Sequence, residues 1–459
     1  MAGIPTVVVT RKGFEGIVAN AFSGFGFPAE ASMGYVWPSE MFLENSDLSP
    51  IEQNFDTFVT GLTDWEPKMK EKGLLEPDLI TVKGDTEIDS WSNVDNLYYR
   101  NLWSDSLPIT PPTEDLVNWI LTGTDRDSSE VIGKIRPRGG IATVNAVAVA
   151  LAMAGGRPEY LPVLIGMTDI LTDQRFNTQS WNATTNSCLP AVVVNGPIAK
   201  QIRLGSGYGM FGPDPTHPAG QILGRALRLI LQDIGGATPG TGTMAVYGGM
   251  RSTNAVFAED EEGLPAGWKT LAEERGYSRD QNIITMTTIN GMQNVLWDFG
   301  GVDANLRSLN AMAGCMKAPN PNKLSGPILA EQHQDPDRPG GIIVIPRGFA
   351  SALQTDNGWD KDGIRQYLWD NTQLPYEEVK TYTSDFFLAQ WKPGDTVPYC
   401  PKPGQITLVV GGGDQSGHGY YLANACFGMN TSREIVLPTA WDDILYETEI
   451  DVGALPSTH

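Results

Sequence analysis

The sequence has little positive charge and no long apolar run, and each shortage excludes a class of protein. Its 459 residues contain 32 lysines and arginines against 54 aspartates and glutamates, so the formal net charge is -22. Nucleic acids and anionic membranes bind basic surfaces, and we therefore expect neither as a partner. No stretch of about 18 apolar residues occurs, so we expect no membrane span.

Cysteine is also scarce. Cys188, Cys315, Cys400 and Cys426 lie far apart, which is typical of reduced thiols in a cytosolic protein rather than of a disulfide framework. The apolar amino terminus lacks the basic lead and the length of a signal peptide. We therefore expect a cytoplasmic location. Hydrophobic residues make up 41% of the chain, and 51 glycines and 32 prolines predict a globular, loop-rich protein.

The sequence begins with a strand, helix, strand pattern that has almost no lead-in. Residues 3–9 read as a buried strand, residues 14–22 as a helix and residues 33–37 as the next strand. A short edge strand is poorly buried unless something covers it. We therefore expect another polypeptide to cover this edge.

The chain as a whole predicts an α/β fold with parallel-sheet-containing, Rossmann-like units and a helix-rich central region. We divide it into a partial α/β half-domain (1–43), an irregular covering segment (44–134), a helix-rich central domain (135–280) and an α/β carboxyl-terminal domain (281–459). Helices are predicted at 113–122, 142–154, 160–171, 219–234, 306–312 and 362–371. Strands are predicted at 191–194, 282–288, 341–345 and 406–410.

Alternating strands and helices in the last region predict a parallel sheet with covered faces. Ligands of such sheets bind beyond the carboxyl ends of the strands. The loops expected there are 289–292, 346–350 and 411–419.

The third of these loops, GGGDQSGHG, is a candidate anion- or cofactor-binding segment. Its glycines let backbone amides approach an anion, and the candidate contacts are Gly412, Gly413, Ser416 and His418. The loop is neither a Walker loop nor a GxGxxG fingerprint. A tight structural turn is the favoured alternative interpretation, and no cofactor is assigned.

Metal and thiol chemistry have weak local support. Glu331, His333 and Asp335 alternate along EQHQD, but a solvated loop shows the same alternation and no HxxxH or CxxC spacing occurs. We assign no metal ligands. Cys188 and Cys315 read as packed thiols; Cys315, with Lys317 nearby, is the better candidate nucleophile.

Polar residues of the central region form a more promising set, because turns between buried elements can converge on a pocket. The candidate catalytic residues are Glu159, Asn195 and Tyr208, and the candidate substrate-binding residues are Arg138, Arg157, Tyr160, Ser206 and Arg225. In the alternative interpretation, Arg157 and Glu159 cap helices or pair with each other.

A series of motifs resembles the UGSC family of uncharacterised bacterial selenoproteins and their cysteine homologues. The motifs are SDSLPITPPTEDLV, IGKIRPRGGIATV, MAGGRPEYLPV, VVVNGP, SGYGMFGP and GRALRLIL, in that order over most of the chain. The resemblance implies that Asn195, Tyr208 and Arg225 occupy family motif positions. It implies no particular reaction.

The chain departs from this family at its thiol motif and at three further positions. Family members carry a selenocysteine or cysteine, Gly, Ser, Cys motif in an amino-terminal half-domain, ahead of a segment similar to residues 3–22, and this chain lacks the motif. The resemblance implies that a small thiol-motif subunit supplies it, or that it has been lost. Asn145, Gly156 and Asn186 stand where the family pattern has Glu, Cys and His, which removes candidate proton carriers and a nucleophile.

Three functions remain open on this evidence. In the first, the chain is the large subunit of a heteromeric enzyme that acts on a small organic molecule. The partner subunit supplies thiol redox or addition chemistry, and polar groups of this chain stabilise an oxyanion. Alternatively, it is a non-catalytic scaffold paired with a catalytic paralogue. The third alternative is a metal-assisted hydratase or lyase that uses Glu331, His333 or His418.

Overall fold

The computed structural model describes residues 7–24, 27, 34–37, 46–64, 79–296, 298, 300–317, 335–381, 383, 388, 391–414, 417–425 and 427–453. Its strands are β1 (Val8–Arg11), β2 (Gly34–Trp37), β3 (Val131–Ile135), β4 (Gly140–Thr143), β5 (Leu189–Asn195), β6 (Ala255–Ala258), β7 (Ile283–Leu296), β8 (Ile342–Ile345), β9 (Leu374–Pro375), β10 (Thr396–Val397), β11 (Thr407–Val410), β12 (His418–Asn424) and β13 (Thr431–Glu434).

The α-helices are α1 (Glu15–Gly24), α2 (Ser49–Gln53), α3 (Phe55–Thr63), α4 (Glu87–Asn101), α5 (Glu114–Leu121), α6 (Val144–Met153), α7 (Leu161–Thr172), α8 (Thr178–Ala183), α9 (Pro197–Gln201), α10 (Ala219–Leu229), α11 (Leu271–Glu274), α12 (Val302–Lys317), α13 (Arg347–Asn357), α14 (Lys361–Asp370), α15 (Tyr376–Val379) and α16 (Trp441–Val452). A π-helical turn, Ile230–Ile234, extends α10.

One mixed sheet of seven strands organises the described residues. Its order is β11-β8-β12-β7-β5-β6, and β13 also pairs with β7. The pairs β8/β11 and β5/β6 are parallel, whereas β12 runs antiparallel to both β7 and β8. The α/β fold is confirmed, and the sheet contains parallel strands. The fully parallel arrangement expected for the last region is wrong.

The length of β7 explains why the sheet is mixed. Its 14 residues continue through positions 289–292, which were expected to form a ligand-binding loop. Ile289 pairs with Leu189 of β5, and Met292 pairs with Leu422 of β12. A glycine inside a strand often marks a bulge, and opposite Gly291 the register with β12 shifts between Ala423 and Asn424.

The sheet curls so that its two edge strands meet. The backbone amide of Asp260, just after β6, donates a hydrogen bond of 2.8 Å to the carbonyl of Val410 at the end of β11. Apolar side chains from both halves fill the space between the strands, including Val193, Phe257 and Val409. Strands of the central region and of the carboxyl-terminal region therefore share one sheet and one core.

Helices cover the sheet where their sequences are most apolar. The all-apolar segment 142–154 was expected to be a helix surrounded by protein, and α6 is that helix, with Val144, Val147 and Leu151 buried. Thr113 was expected to begin a helix, and its side-chain oxygen accepts a hydrogen bond from the backbone amide of Leu116. Local capping and an apolar pattern thus fix these helices directly.

Two other regions differ from expectation. The segment 44–134, expected to be irregular apart from a helix at 113–122, also contains α2, α3, α4 and most of β3. The central region, expected to be helical around one strand, also contains β4 and β6. The described helices include none that is long and apolar enough to cross a membrane.

The amino-terminal unit is a small parallel pair. β1 and β2 pair in parallel with α1 between them in the chain. The Asn20 side chain donates a hydrogen bond of 3.2 Å to the carbonyl of Thr241, which ties α1 to the central region. Residues 1–6, which begin the predicted first strand, lie outside the described residues.

Candidate ligand-binding site

The predicted Arg157 and Glu159 interact with each other rather than with an open pocket. Arg157 Nε lies 2.9 Å from Glu159 Oε1, and Arg157 Nη2 lies 2.8 Å from Asp451 Oδ2 on α16. The Arg157 guanidinium also stacks on Trp119. Tyr160 is only 3% exposed, and burial raises the pKa of its hydroxyl. These side chains hold α16 against the helical layer.

The other two predicted arginines lie apart from this group. Arg225 Nε donates a hydrogen bond of 2.9 Å to Asp105 Oδ2, and Arg225 Nη2 donates one of 2.8 Å to the carbonyl of Pro108. Arg138 is exposed, and its backbone amide donates to the carbonyl of Gly235. The expected convergence of the arginines on one pocket is not seen.

The structure brings the predicted anion-binding loop against the segment that carries Ser206 and Tyr208. The Gly412 amide donates a hydrogen bond of 2.8 Å to the carbonyl of Ser206. A Cβ atom at Gly413, where φ is +86°, would lie 3.0 Å from the ring of Tyr208. Gly413 therefore allows close packing between the loops, whereas a Cβ atom at Gly412 would have no neighbour within 4 Å. The Gly412 amide is already occupied.

Two more residues of the predicted anion loop have other settings. Ser416 lies outside the described residues. His418 was expected in the loop, but it is the first residue of β12 and its Nδ1 lies 3.2 Å from Asn294 Nδ2. Asp414 is tied to Arg347 at 3.1 Å. Arg347 also pairs with Asp260 at 2.7 Å, and burial raises the pKa of Asp260.

The predicted metal and thiol candidates give no cluster within the described part of the chain. Glu331 and His333 lie outside it, and Asp335 pairs with Arg175 at 2.8 Å. The described residues contain no group of three or more His, Cys, Asp or Glu side chains placed to hold a metal ion. Cys188 is buried and Cys315 is half-buried.

Asn195 belongs to a buried polar cluster that the sequence did not reveal. Its Nδ2 donates hydrogen bonds to Glu259 Oε2 at 2.7 Å and to Glu261 Oε1 at 2.8 Å. Reversing the amide would place an oxygen against two carboxylates, so this orientation is the favourable one. Asn195 ends β5 and Glu259 follows β6, and these adjacent parallel strands place the two side chains side by side.

Lys361 completes the cluster. Its Nζ donates a hydrogen bond of 2.9 Å to Glu259 Oε1, and both side chains are buried. Glu259 Oε2 also accepts a hydrogen bond of 2.6 Å from the backbone amide of Leu271. Lys361 begins α14, where the helix dipole disfavours a cation. The Glu259 carboxylate offsets that cost.

A second ion pair lies beside the first. Arg365, one turn along α14, pairs with Glu274 at 2.7 Å and donates a hydrogen bond from Nε to the carbonyl of Ile406 at 2.9 Å. Glu274 Oε2 lies 3.9 Å from Lys361 Nζ, which is too long for a hydrogen bond. Two buried cations and two carboxylates therefore form one neighbouring group.

Lys361 and Arg365 line a large polar cleft. Its volume is about 850 Å³, and its wall includes residues around α11, the start of α14 and the amino-terminal ends of β7, β11 and β13. The ligand was expected beyond the carboxyl ends of the strands. That rule describes open parallel sheets, and in this mixed sheet the cleft lies where strands begin.

The charges that line the polar cleft balance. Among the described lining residues, the acidic side chains are Asp173, Glu273, Glu274, Asp337, Asp360 and Asp362. The basic side chains are Arg175, Lys269, Arg275, Lys361, Arg365 and Arg433. Most of these arginines are engaged in pairs; Arg275 contacts Asp337 at 2.7 Å and Arg433 contacts Asp173.

Asn195 was predicted from the sequence as a site residue, whereas Glu259 and Lys361 were not. The run AEDEEG around Glu259 has the composition of a solvated acidic loop, and Lys361 lies about a hundred residues further along the chain. The short apolar run at β6, directly before Glu259, could have indicated this residue, because polar residues at strand ends are candidate site residues. Only the pairing of β5 with β6 brings Glu259 to Asn195.

Comparisons with family models, curated proteins and solved structures find no match to this chain.

Proposed function

We propose that this chain is the large, substrate-binding subunit of a heteromeric enzyme that acts on a small organic molecule. The observation that carries the proposal is the polar cleft with the buried Lys361 in its wall. A volume of about 850 Å³ is typical of clefts that bind small molecules.

Each member of the buried cluster has a distinct part in this proposal. Lys361 contacts the substrate in this proposal, because the residue lines the cleft and an ammonium can stabilise charge developing on a substrate oxygen. Glu259 is a positioning residue, since its carboxylate holds the ammonium in place. Asn195 in turn holds Glu259. Such supporting contacts keep a reactive group in its productive geometry.

We further propose that a partner subunit supplies the thiol redox or addition chemistry. Cys188 and Cys400 are buried in apolar cores, Cys315 is half-buried on α12, and none of these three lines the polar cleft. The β1/β2 pair, with two strands among the described residues, supports the same proposal. Pairs of strands are marginal alone and are stabilised by further strands.

Binding of a panel of small organic molecules tests the substrate-binding role. The melting temperature of the full chain is measured with each molecule at millimolar concentration, and the dissociation constant of each stabilising molecule is then measured by calorimetry. We expect Lys361→Met to weaken binding about tenfold or more, since it removes a charged hydrogen bond. Unchanged binding in Lys361→Met would contradict the assignment.

Lys200→Met is the matched control. Lys200 pairs with Glu262 at 3.0 Å, but its side chain is 59% exposed and lies outside the polar cleft. The same chemical change should therefore leave every dissociation constant unchanged. If no molecule in the panel stabilises the wild-type chain, the substrate-binding role fails and the scaffold alternative gains support.

The partner is tested by measuring the chain's mass and turnover in isolation. We expect the purified chain to lack turnover alone and to gain it when a small thiol-bearing subunit is added. A monodisperse chain that turns over substrate without any added protein would rule out the heteromeric part of the proposal.

A further inference from the structure

We infer that the molecule bound in the polar cleft carries no net negative charge and accepts a hydrogen bond from Lys361 through a carbonyl or hydroxyl oxygen. This inference rests on the proposed substrate-binding function and narrows the class of substrate. It excludes carboxylates and phosphates, which are otherwise the ordinary ligands of a lysine.

Lys361 has unused hydrogen-bonding capacity. An ammonium group has three N–H donors. Among the described residues, Glu259 Oε1 accepts a hydrogen bond from one of these donors at 2.9 Å. Glu274 Oε2 lies 3.9 Å from Nζ, which is too distant for a second hydrogen bond. The side chain is only 4% exposed and belongs to the wall of the cleft. An oxygen of a bound molecule would satisfy a donor that is otherwise costly to leave unmet.

The second step concerns the charge that already surrounds this ammonium. Glu259 and Glu274 balance Lys361 and Arg365, and Arg365 also pairs with the exposed Asp362 at 2.9 Å, so the group has no net positive charge before any ligand arrives. An added anion would meet the repulsion of Glu259 and Glu274 together with the attraction of Lys361 and Arg365, so this group gives it no net electrostatic attraction. A neutral oxygen avoids this repulsion and still accepts the hydrogen bond.

The third step concerns the cleft and the whole chain. Six acidic and six basic described side chains line the cleft, so its wall has no net positive charge to attract an anion. The chain carries a net charge of -22, which repels anions at long range and slows their association. Local and long-range electrostatics therefore favour the same class of substrate.

Matched pairs of molecules test the inference. Each pair shares a skeleton of roughly two to six carbon atoms and differs in charge: lactamide with lactate, malonamide with malonate, and glycerol with glycerol 3-phosphate. Dissociation constants are measured by calorimetry on the full wild-type chain. We expect the neutral member of a binding pair to bind at least about tenfold more tightly, which corresponds to about 1.4 kcal/mol.

Two variants and a salt series sharpen the result. Lys361→Met should weaken binding of the neutral molecule about tenfold, whereas Lys200→Met should leave it unchanged. The dissociation constant of the neutral molecule should also not vary with salt concentration, since no net charge is attracted.

The possible outcomes separate this inference from the proposed function. Tighter or equal binding of the anion, lost in Lys361→Met, would overturn the neutral-substrate inference and leave the substrate-binding function standing. Failure of both members of every pair to bind would overturn the proposed function itself. A neutral molecule that binds equally well to wild type and Lys361→Met would remove Lys361 from the site.

Discussion

At the scale of single residues, Asp233 has both carboxylate oxygens buried and without a hydrogen-bond partner among the described residues. Burial raises the pKa of Asp233 to about 8, although Arg228 nearby opposes the shift. In the unfolded chain the carboxyl group has its ordinary pKa of 3.8. Between these two values the folded state holds a proton that the unfolded state has lost, so the free energy of unfolding falls as the pH rises.

Asp233→Asn should remove this fall. We expect the variant to match wild type near pH 4 and to exceed its free energy of unfolding by about 1–3 kcal/mol near pH 8. Urea denaturation across this pH range provides the measurement, with the exposed Asp64→Asn as control. Parallel curves for wild type and Asp233→Asn would show that the carboxylate titrates normally in the folded chain.

The buried pair of Glu259 and Lys361 allows a second comparison between residues. Glu259→Gln leaves a buried ammonium without its carboxylate, which typically costs about 3–5 kcal/mol. Glu262→Gln removes an exposed pair with Lys200, where the Glu262 side chain is 70% exposed, and should change the free energy of unfolding by less than about 1 kcal/mol. Urea denaturation followed by tryptophan fluorescence distinguishes them, and equal losses would refute the buried setting of Glu259.

The same pair shows what the sequence could and could not predict about the site. Asn195 could be predicted as a site residue because it ends a continuous apolar run, and the ends of such runs are candidate sites. Lys361 gave no local signal, because its role depends on Glu259, 102 residues away in the chain. Arg157 and Glu159 gave a strong signal through their motif, yet their proximity in sequence allows them to satisfy each other.

At the scale of secondary structure, α10 lies so close to the chain entering β6 that it tolerates no side chain at one position. A Cβ atom at Gly224 would lie 1.7 Å from the carbonyl oxygen of Thr253. Gly314, on the exposed side of α12, has no atom within 4 Å of the equivalent Cβ. These two helical glycines therefore exist for different reasons.

Alanine at each position measures the difference. Gly224→Ala should lower the free energy of unfolding by about 2–4 kcal/mol, because the helix must move away from β6. Gly314→Ala should raise it by up to about 1 kcal/mol, since alanine is the better helix former. Thermal denaturation of both variants shows whether Gly224→Ala destabilises the chain and Gly314→Ala stabilises it. A stabilised Gly224→Ala chain would contradict the close approach of α10.

Helices and strands were not equally predictable. The helices α5 and α6 followed from a capping threonine and an apolar pattern, both of which are local. β7 was predicted only in its first half, because the β-rich run that predicts a strand ends at residue 288. Pairing with β12 keeps the second half extended, and sequence patterns contain no information about that distant partner.

At the scale of the whole molecule, the central and carboxyl-terminal regions share one sheet. β5 pairs with β7 from Leu189 to Asn195, across the boundary near residue 280 that composition had suggested. Ile284 and Met286 of β7 pack in the same core as α6, α7 and α10. We therefore expect these regions to unfold in one cooperative transition.

Calorimetry measures this cooperativity. The ratio of the calorimetric to the van't Hoff enthalpy should be close to one for the transition that includes residues 135–453. The contrary result is two resolved transitions, one of which persists in a chain cut near residue 280. It would show that the regions fold independently and that the shared sheet contributes little to the cooperativity of unfolding.

The polar cleft around Lys361 is the proposed ligand site, and a crystal structure with a bound molecule from the panel tests this most directly. We predict electron density in the cleft, with an oxygen of the molecule about 2.7–3.2 Å from Lys361 Nζ. Density instead between Tyr208 and the Gly412–Gly413 backbone, with an empty cleft, would contradict the claim.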